Sequence, residues 1–144
     1  MRRWRIFVTF LLVLLCGCED CTEIGCTSGL NVFVQAYGQR FQPGIYHVSA
    51  VADGELTDCE VTFSNEGSVT QTCNATLQIG TEQSAFSLLF TSAPESLVFT
   101  LTHDDSLVID TVYVPEYTET APNGPDCDPI CRWADQHVWA PGRE

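Results

Sequence analysis

Eight cysteines, three histidines and nineteen carboxylates are the side chains of this 144-residue chain best suited to chemistry. The cysteines are Cys16, Cys18, Cys21, Cys26, Cys59, Cys73, Cys127 and Cys131, far above the usual share for this length. A thiol can be a nucleophile, a metal ligand, a lipid acceptor or half of a cross-link, and the compartment decides which. His47, His103 and His137 each lack a second histidine at metal-ligand spacing, and no H-E-x-x-H occurs. No G-x-S-x-G elbow marks a serine nucleophile. His103 beside Asp104 and Asp105 is the nearest approach to an acid–base cluster, and it reads as the polar tip of a hairpin. Asp104, Asp105, Asp126 and Asp128 are the calcium candidates, because Ca²⁺ takes oxygen ligands from loops; none follows EF-hand spacing. No catalytic residue, cofactor or enzyme activity is assigned on this basis.

The charge narrows the partners. Six bases, all arginine, face nineteen acids, for a formal −13. Nucleic acid is excluded as a ligand, since no basic surface exists to displace counterions from phosphates. With 44% hydrophobic residues, the chain is not a disordered acidic tail. Its length fits one ordinary domain.

The first residues read as a leader. Arg2, Arg3 and Arg5 precede an unbroken apolar run from Ile6 to Leu15. Ten residues of helix rise about 15 Å, roughly half the hydrocarbon core, so the run is a secretion signal and not a membrane span. Leu15-Cys16-Gly17-Cys18 resembles the lipobox of bacterial lipoproteins: an apolar residue, two small ones, then the cysteine that receives diacylglycerol. Cys16 stands where alanine or serine is more usual, but it is small enough. The resemblance implies cleavage before Cys18, which would become the lipidated first residue. An ordinary cleaved secretory peptide is the alternative. Several acyl chains on one cysteine meet the requirement for stable anchoring. The expected location is the bacterial cell membrane, with the outer membrane favoured. Three arginines and nineteen acids would remain after cleavage, a surplus of sixteen negative charges that keeps the body off anionic head groups.

Six cysteines then remain, an even set in an oxidising compartment, which favours disulfides. Cys59 and Cys73 lie symmetrically about Glu66. A hairpin turning through Asn65-Glu66-Gly67 sets Phe63 opposite Val69, Val61 opposite Gln71 and Cys59 opposite Cys73, close enough to bridge. Cys21 and Cys26 precede the first strand; Cys127 and Cys131 follow the last. Each tail cysteine is expected to pair with a head cysteine, as 21–131 with 26–127 or in the other crossing. A four-thiolate zinc site is the competing reading of C-x4-C plus C-x3-C.

From Gly29 to Tyr117 the apolar period is two. Leu30, Val32, Val34 and Ala36 alternate with polar or aromatic neighbours, and Tyr46, Val48, Ala50 and Ala52 repeat the pattern up to the Asp53-Gly54 turn. Further runs follow at 57–63, 73–79, 86–90, 97–101 and 107–114. These seven short strands predict an all-β, single antiparallel β-sandwich. Pro-Gly-x-Tyr-x-Val-x-Ala-x-Ala-Asp-Gly, from Pro43 to Gly54, resembles a hairpin of immunoglobulin-like and carboxypeptidase-regulatory-like sandwiches. After the Pro122–Pro125 turn, Asp128 reads as an N-cap and Pro129 as the first helical position. Ile130, Trp133, Ala134, His137 and Val138 would share a helical face, ending at Pro141-Gly142. Pro122-Asn-Gly-Pro-x-Cys-x-Pro-x-Cys131 resembles the tails of small uncharacterised bacterial lipoproteins with such bodies.

The expected organisation is a signal peptide at 1–17, an anchor and cysteine-containing linker at 18–28, the sandwich at 29–118, and a turn with one short helix at 119–144. Tyr37, Phe41, Tyr113 and Tyr117 could form a carbohydrate or peptide platform, but capping the open ends of the sandwich is the preferred reading. Asn74-Ala75-Thr76 matches a glycosylation sequon and reads as a polar strand position. The functional expectation is a lipid-anchored binding or structural module of the cell envelope, touching membrane through its lipid only and meeting a protein or glycan. The alternatives are a strand-pairing adapter of an envelope complex and a calcium-dependent carbohydrate-binding domain.

Overall fold

The structure, a computed structural model, describes residues 24–80 and 83–143. The leader, the lipidation candidate Cys18 and the head cysteine Cys21 lie outside the described residues.

Period-two sequence becomes strand wherever one face can be covered. In β1 (Gly29–Ala36), Leu30, Val32, Val34 and Ala36 are buried. After β2 (Arg40–Phe41), β3 (Gly44–Ala52) buries Tyr46, Val48, Ala50 and Ala52, and β4 (Glu55–Phe63) buries Thr57, Cys59, Val61 and Phe63. Asp53 and Gly54 join β3 to β4 with positive φ at both positions, as a tight hairpin turn of mirror type requires. There follow β5 (Val69–Cys73), β6 (Thr76–Ile79), β7 (Ala85–Phe90), β8 (Leu97–His103) and β9 (Ser106–Tyr113). The last are β10 (Thr118–Thr120), β11 (Cys131–Ala140) and β12 (Gly142–Arg143).

Two five-stranded sheets enclose one core. The first has the order β10-β11-β1-β7-β6 and the second β5-β4-β3-β8-β9, while β2 and β12 form a separate short ladder. Phe41, carried between the sheets, stacks on Phe63 at 4.7 Å and lies 5.2 Å from Tyr46 and 5.3 Å from Phe86. Its burial removes a whole aromatic side chain from water, worth about 1.5–3 kcal/mol. Cys59 and Cys73 are disulfide-bonded across β4 and β5, with Cα atoms 4.1 Å apart and the register Phe63↔Val69, Val61↔Gln71. Cys26 is bonded to Cys131, joining the segment before β1 to the first residue of β11. Cys127 is also disulfide-bonded, so these sulfurs are not the open thiolates a zinc site would need.

Three expectations are corrected. There is no helix at 128–138: this stretch contributes most of β11, which lies parallel to β1 with Leu30 opposite Ala134 and Val34 opposite Val138. The helical reading had a physical cause. Residues four apart share a face in both a helix and a strand, so the pairs Trp133–His137 and Ala134–Val138 fit either period. What decides is the tertiary pairing with β1, about a hundred residues upstream, together with the strand preference of Trp and Val. The sandwich is also not seven-stranded. The run at 73–79 divides because the chain leaves the second sheet at Cys73 and enters the first at Thr76, pivoting at Asn74. The Asn74 side chain accepts from the Asp58 N–H (2.8 Å) and donates to the Leu56 carbonyl (3.0 Å). Finally, the sheets are not wholly antiparallel, since β1 and β11 run the same way.

Candidate functional site

The parallel pairing of β1 with β11 puts their outward residues side by side. Gly29 faces Trp133, Asn31 faces Asp135, Phe33 faces His137, and Gln35 faces Trp139. Tyr37 extends the line, its N–H donating to the Ala140 carbonyl at 2.8 Å. The Phe33 and His137 rings stack at 5.2 Å, and those of Tyr37 and Trp139 at 5.3 Å. Outward positions repeat every second residue, so Trp133 and Trp139 stand about 20 Å apart along the strand. Trp133, Trp139 and Tyr37 are 38%, 49% and 61% exposed. Large aromatic area left in solvent is unusual. Here Trp133 stands at one end of the row and Phe33, His137, Trp139 and Tyr37 at the other, with Asn31 and Asp135 between them.

Trp133 is seated by an absence. A Cβ on Gly29 would come within 2.7 Å of Trp133 Cζ3 and 2.9 Å of the Phe90 carbonyl oxygen, so the indole occupies the space a side chain would fill. Its Nε1–H donates to Asp135 Oδ1 at 3.2 Å. At the neighbouring edge, the Arg132 guanidinium lies 4.6 Å from the Tyr117 ring centroid. The Tyr117 hydroxyl donates to the Pro94 carbonyl at 2.8 Å. Burial raises the Tyr117 pKa, opposed by Arg132 and assisted by Asp53.

The second sheet presents a different outer face. Leu56, Val51, Val98 and Val112 are directly paired across β4, β3, β8 and β9 and form an aliphatic row. The adjacent row is Asp58, Ser49, Thr100 and Asp110, and Thr100 Oγ1 donates to Asp110 Oδ1 at 3.3 Å.

Of the chemical candidates, His103 and Asp104 are brought together, Nε2 to Oδ2 at 3.5 Å, while the others are scattered and structurally engaged. His103 stacks on Tyr46 at 4.4 Å, and its Nε2–H donates to the Pro43 carbonyl at 3.1 Å. Asp104 and Asp105 are the turn between β8 and β9, both at positive φ. The Asp104 carboxylate accepts from the Ile45 N–H at 2.9 Å. Asp126 and Asp128 lie in the loop before β11, where the Asp128 main-chain carbonyl accepts from Asn123 Nδ2 at 2.7 Å. Among the described residues, no group of three His, Cys, Asp or Glu is placed to hold a metal ion.

Of the aromatics weighed as a platform or a cap, Phe41 is in the core, Tyr113 and Tyr117 pack partly against it, and only Tyr37 joins the exposed row. The sequence reading missed Trp133, His137 and Trp139 as one surface because it placed them on a helix. Their odd parity from 133 to 139 was the available signal. No protein-family model, curated protein or solved structure matches the chain.

Proposed function

We propose that this chain is an exported, lipid-anchored binding module of the bacterial cell envelope, with an immunoglobulin-like or carboxypeptidase-regulatory-like sandwich as its body. The observation that carries the reading is the exposed row of Trp133, Phe33, His137, Trp139 and Tyr37 on a sheet braced by the Cys26–Cys131 bond. Rings held in register by two central strands keep their geometry before the partner arrives, so binding orders little. The partner is a protein or glycan surface that is neutral or cationic, because the formal charge of −13 repels polyanions.

Export is supported by cross-links such as Cys26–Cys131 and Cys59–Cys73, which a reducing cytosol would not preserve. With the lipid on Cys18, β1 would begin ten residues from the membrane, and the aromatic row would run outward from its anchored end.

Two measurements test this. Cys18→Ser should move the chain from the membrane fraction to the soluble fraction; unchanged sedimentation with membranes would remove the anchor. Binding of the full chain to purified envelope polysaccharide and to envelope proteins should weaken by about tenfold or more in Trp139→Ala, as expected when a central aromatic anchor is lost. Wild-type binding by both that variant and Tyr37→Ala would defeat the aromatic surface.

A further inference from the structure

Among the described residues, the four edges of the two five-stranded sheets differ. β10 offers three residues, β6 four and β5 five, while β9 runs for eight. An edge strand exposes unpaired N–H and C=O groups, and proteins normally blunt it with lysine, proline, a bulge or a cover. In β9 the ladder shifts register opposite Leu101 and Thr102, so Val108 is the extra residue and the first half of the edge is bent. Ile109–Tyr113 beyond it is regular and contains no lysine, arginine or proline.

This stretch is also unfinished on both faces. On the core side, Ile109, Thr111 and Tyr113 pair with Leu101, Phe99 and Leu97. The β8 partners are fully buried while the β9 residues are only half-buried, so the core is open along this seam. On the outer side Val112 is 60% exposed and ends the aliphatic row, with Asp110 exposed two residues before it. The five strands of the second sheet hold no lysine or arginine, while Asp58, Glu60 and Asp110 lie on its outer face.

We propose that the Ile109–Tyr113 edge receives an extended segment of a partner protein as a sixth strand. The partner segment is cationic and aliphatic: a lysine or arginine beside Asp110 and a branched aliphatic beside Val112, two residues apart on one face. Backbone pairing supplies the attachment, and the alternating side chains supply the selectivity. Charge complementarity chooses this occupant over a second copy of the chain. Self-pairing of Ile109–Tyr113 would bring two Asp110 carboxylates into one short ladder between bodies of −13 each. The surface is on the opposite sheet from the aromatic row, so either proposal can fail alone.

The probe is a synthetic peptide alternating lysine and valine, titrated calorimetrically into the full chain. The controls are a glutamate–valine peptide and the lysine–valine peptide with alternate backbone nitrogens methylated. Binding of the lysine–valine peptide is expected, with neither control binding. Asp110→Asn and Val112→Ser should each weaken it by about tenfold, and Asp126→Asn, exposed in the loop before β11, should leave it unchanged. Both altered side chains on β9 are exposed, so melting temperatures should stay at the wild-type value. Failure of the lysine–valine peptide to bind, or equal binding of its methylated form, would overturn strand addition. Loss in Asp126→Asn as large as in Asp110→Asn would reduce the effect to net charge. Self-association strengthened by Asp110→Asn would make a second copy the occupant and overturn the cationic partner.

Discussion

Burial lifts the Tyr46 phenol above its ordinary pKa of about 10, and the same cause raises Tyr113 and Tyr117. Above that ordinary value the unfolded chain loses these protons first, so the native state holds more of them. Stability is therefore complete below about pH 10 and declines as pH climbs toward the native pKa values. Tyr46→Phe should flatten that alkaline decline in guanidinium unfolding followed on both sides of this pH; an unchanged slope would show that Tyr46 does not contribute to it. Gly29 is the second telling residue. Gly29→Val should cost about 1–3 kcal/mol through overpacking and change the near-ultraviolet circular dichroism as Trp133 is displaced. A variant with wild-type melting and an unaltered aromatic spectrum would contradict the indole seat. At this scale the sequence is partly legible: the hairpin that pairs Cys59 with Cys73 follows from symmetric spacing. The seat of Trp133 does not, because Gly29 and Trp133 lie about a hundred residues apart and nothing local links them.

Among the elements, β4–β5 and β1–β11 are each crossed or flanked by a disulfide, but the bonds close very different lengths of chain. Cys59 and Cys73 are 14 residues apart, Cys26 and Cys131 are 105 apart. Constraint of the unfolded chain grows slowly with that length, from about 3 to about 5 kcal/mol. Because Cys127 is bonded as well, replacing Cys26, Cys127 and Cys131 together by alanine should lower the denaturation midpoint more than replacing Cys59 and Cys73. The reverse order would mean that the buried packing of Cys59, and not chain closure, dominates. The central strands were readable because their alternation is strict from Leu30 to Ala36 and from Tyr46 to Ala52. β11 was not, since its i, i+4 pairs satisfy two periods at once and its pairing partner is remote. The break between β5 and β6 was hidden by a pattern that continues in phase while the chain changes sheets.

For the whole molecule, charge is the dominant collective property. With nineteen acids against six bases, the surplus carboxylates repel one another. Among the described residues, Arg132 is the arginine with a carboxylate within ion-pairing reach, Glu119 at 3.9 Å. Raising salt to about 0.15 M shortens the screening length to about 8 Å, and melting should rise with it by about 3 °C, equivalent to about 1 kcal/mol. A flat or falling response would show that local attractions outweigh the global repulsion. Composition announced this property, and the apolar period of two announced the all-β class. The choice of which two outer faces stay in solvent depended on the order of strands, which no single stretch of sequence encodes.

The parallel union of β1 with β11 also sets a timetable. β1 borders β7 on one side, and its other side stays bare until residue 140 has been made. A chain interrupted anywhere after β9 would hold a nearly complete second layer and a first layer with an open flank next to its middle strand. Such a product would be sticky and easily cut by proteases, whereas the finished one hides that flank under Ala134, Val138 and Ala140. Synthesis of β11 is thereby converted into resistance to degradation, and only molecules that carry it would persist.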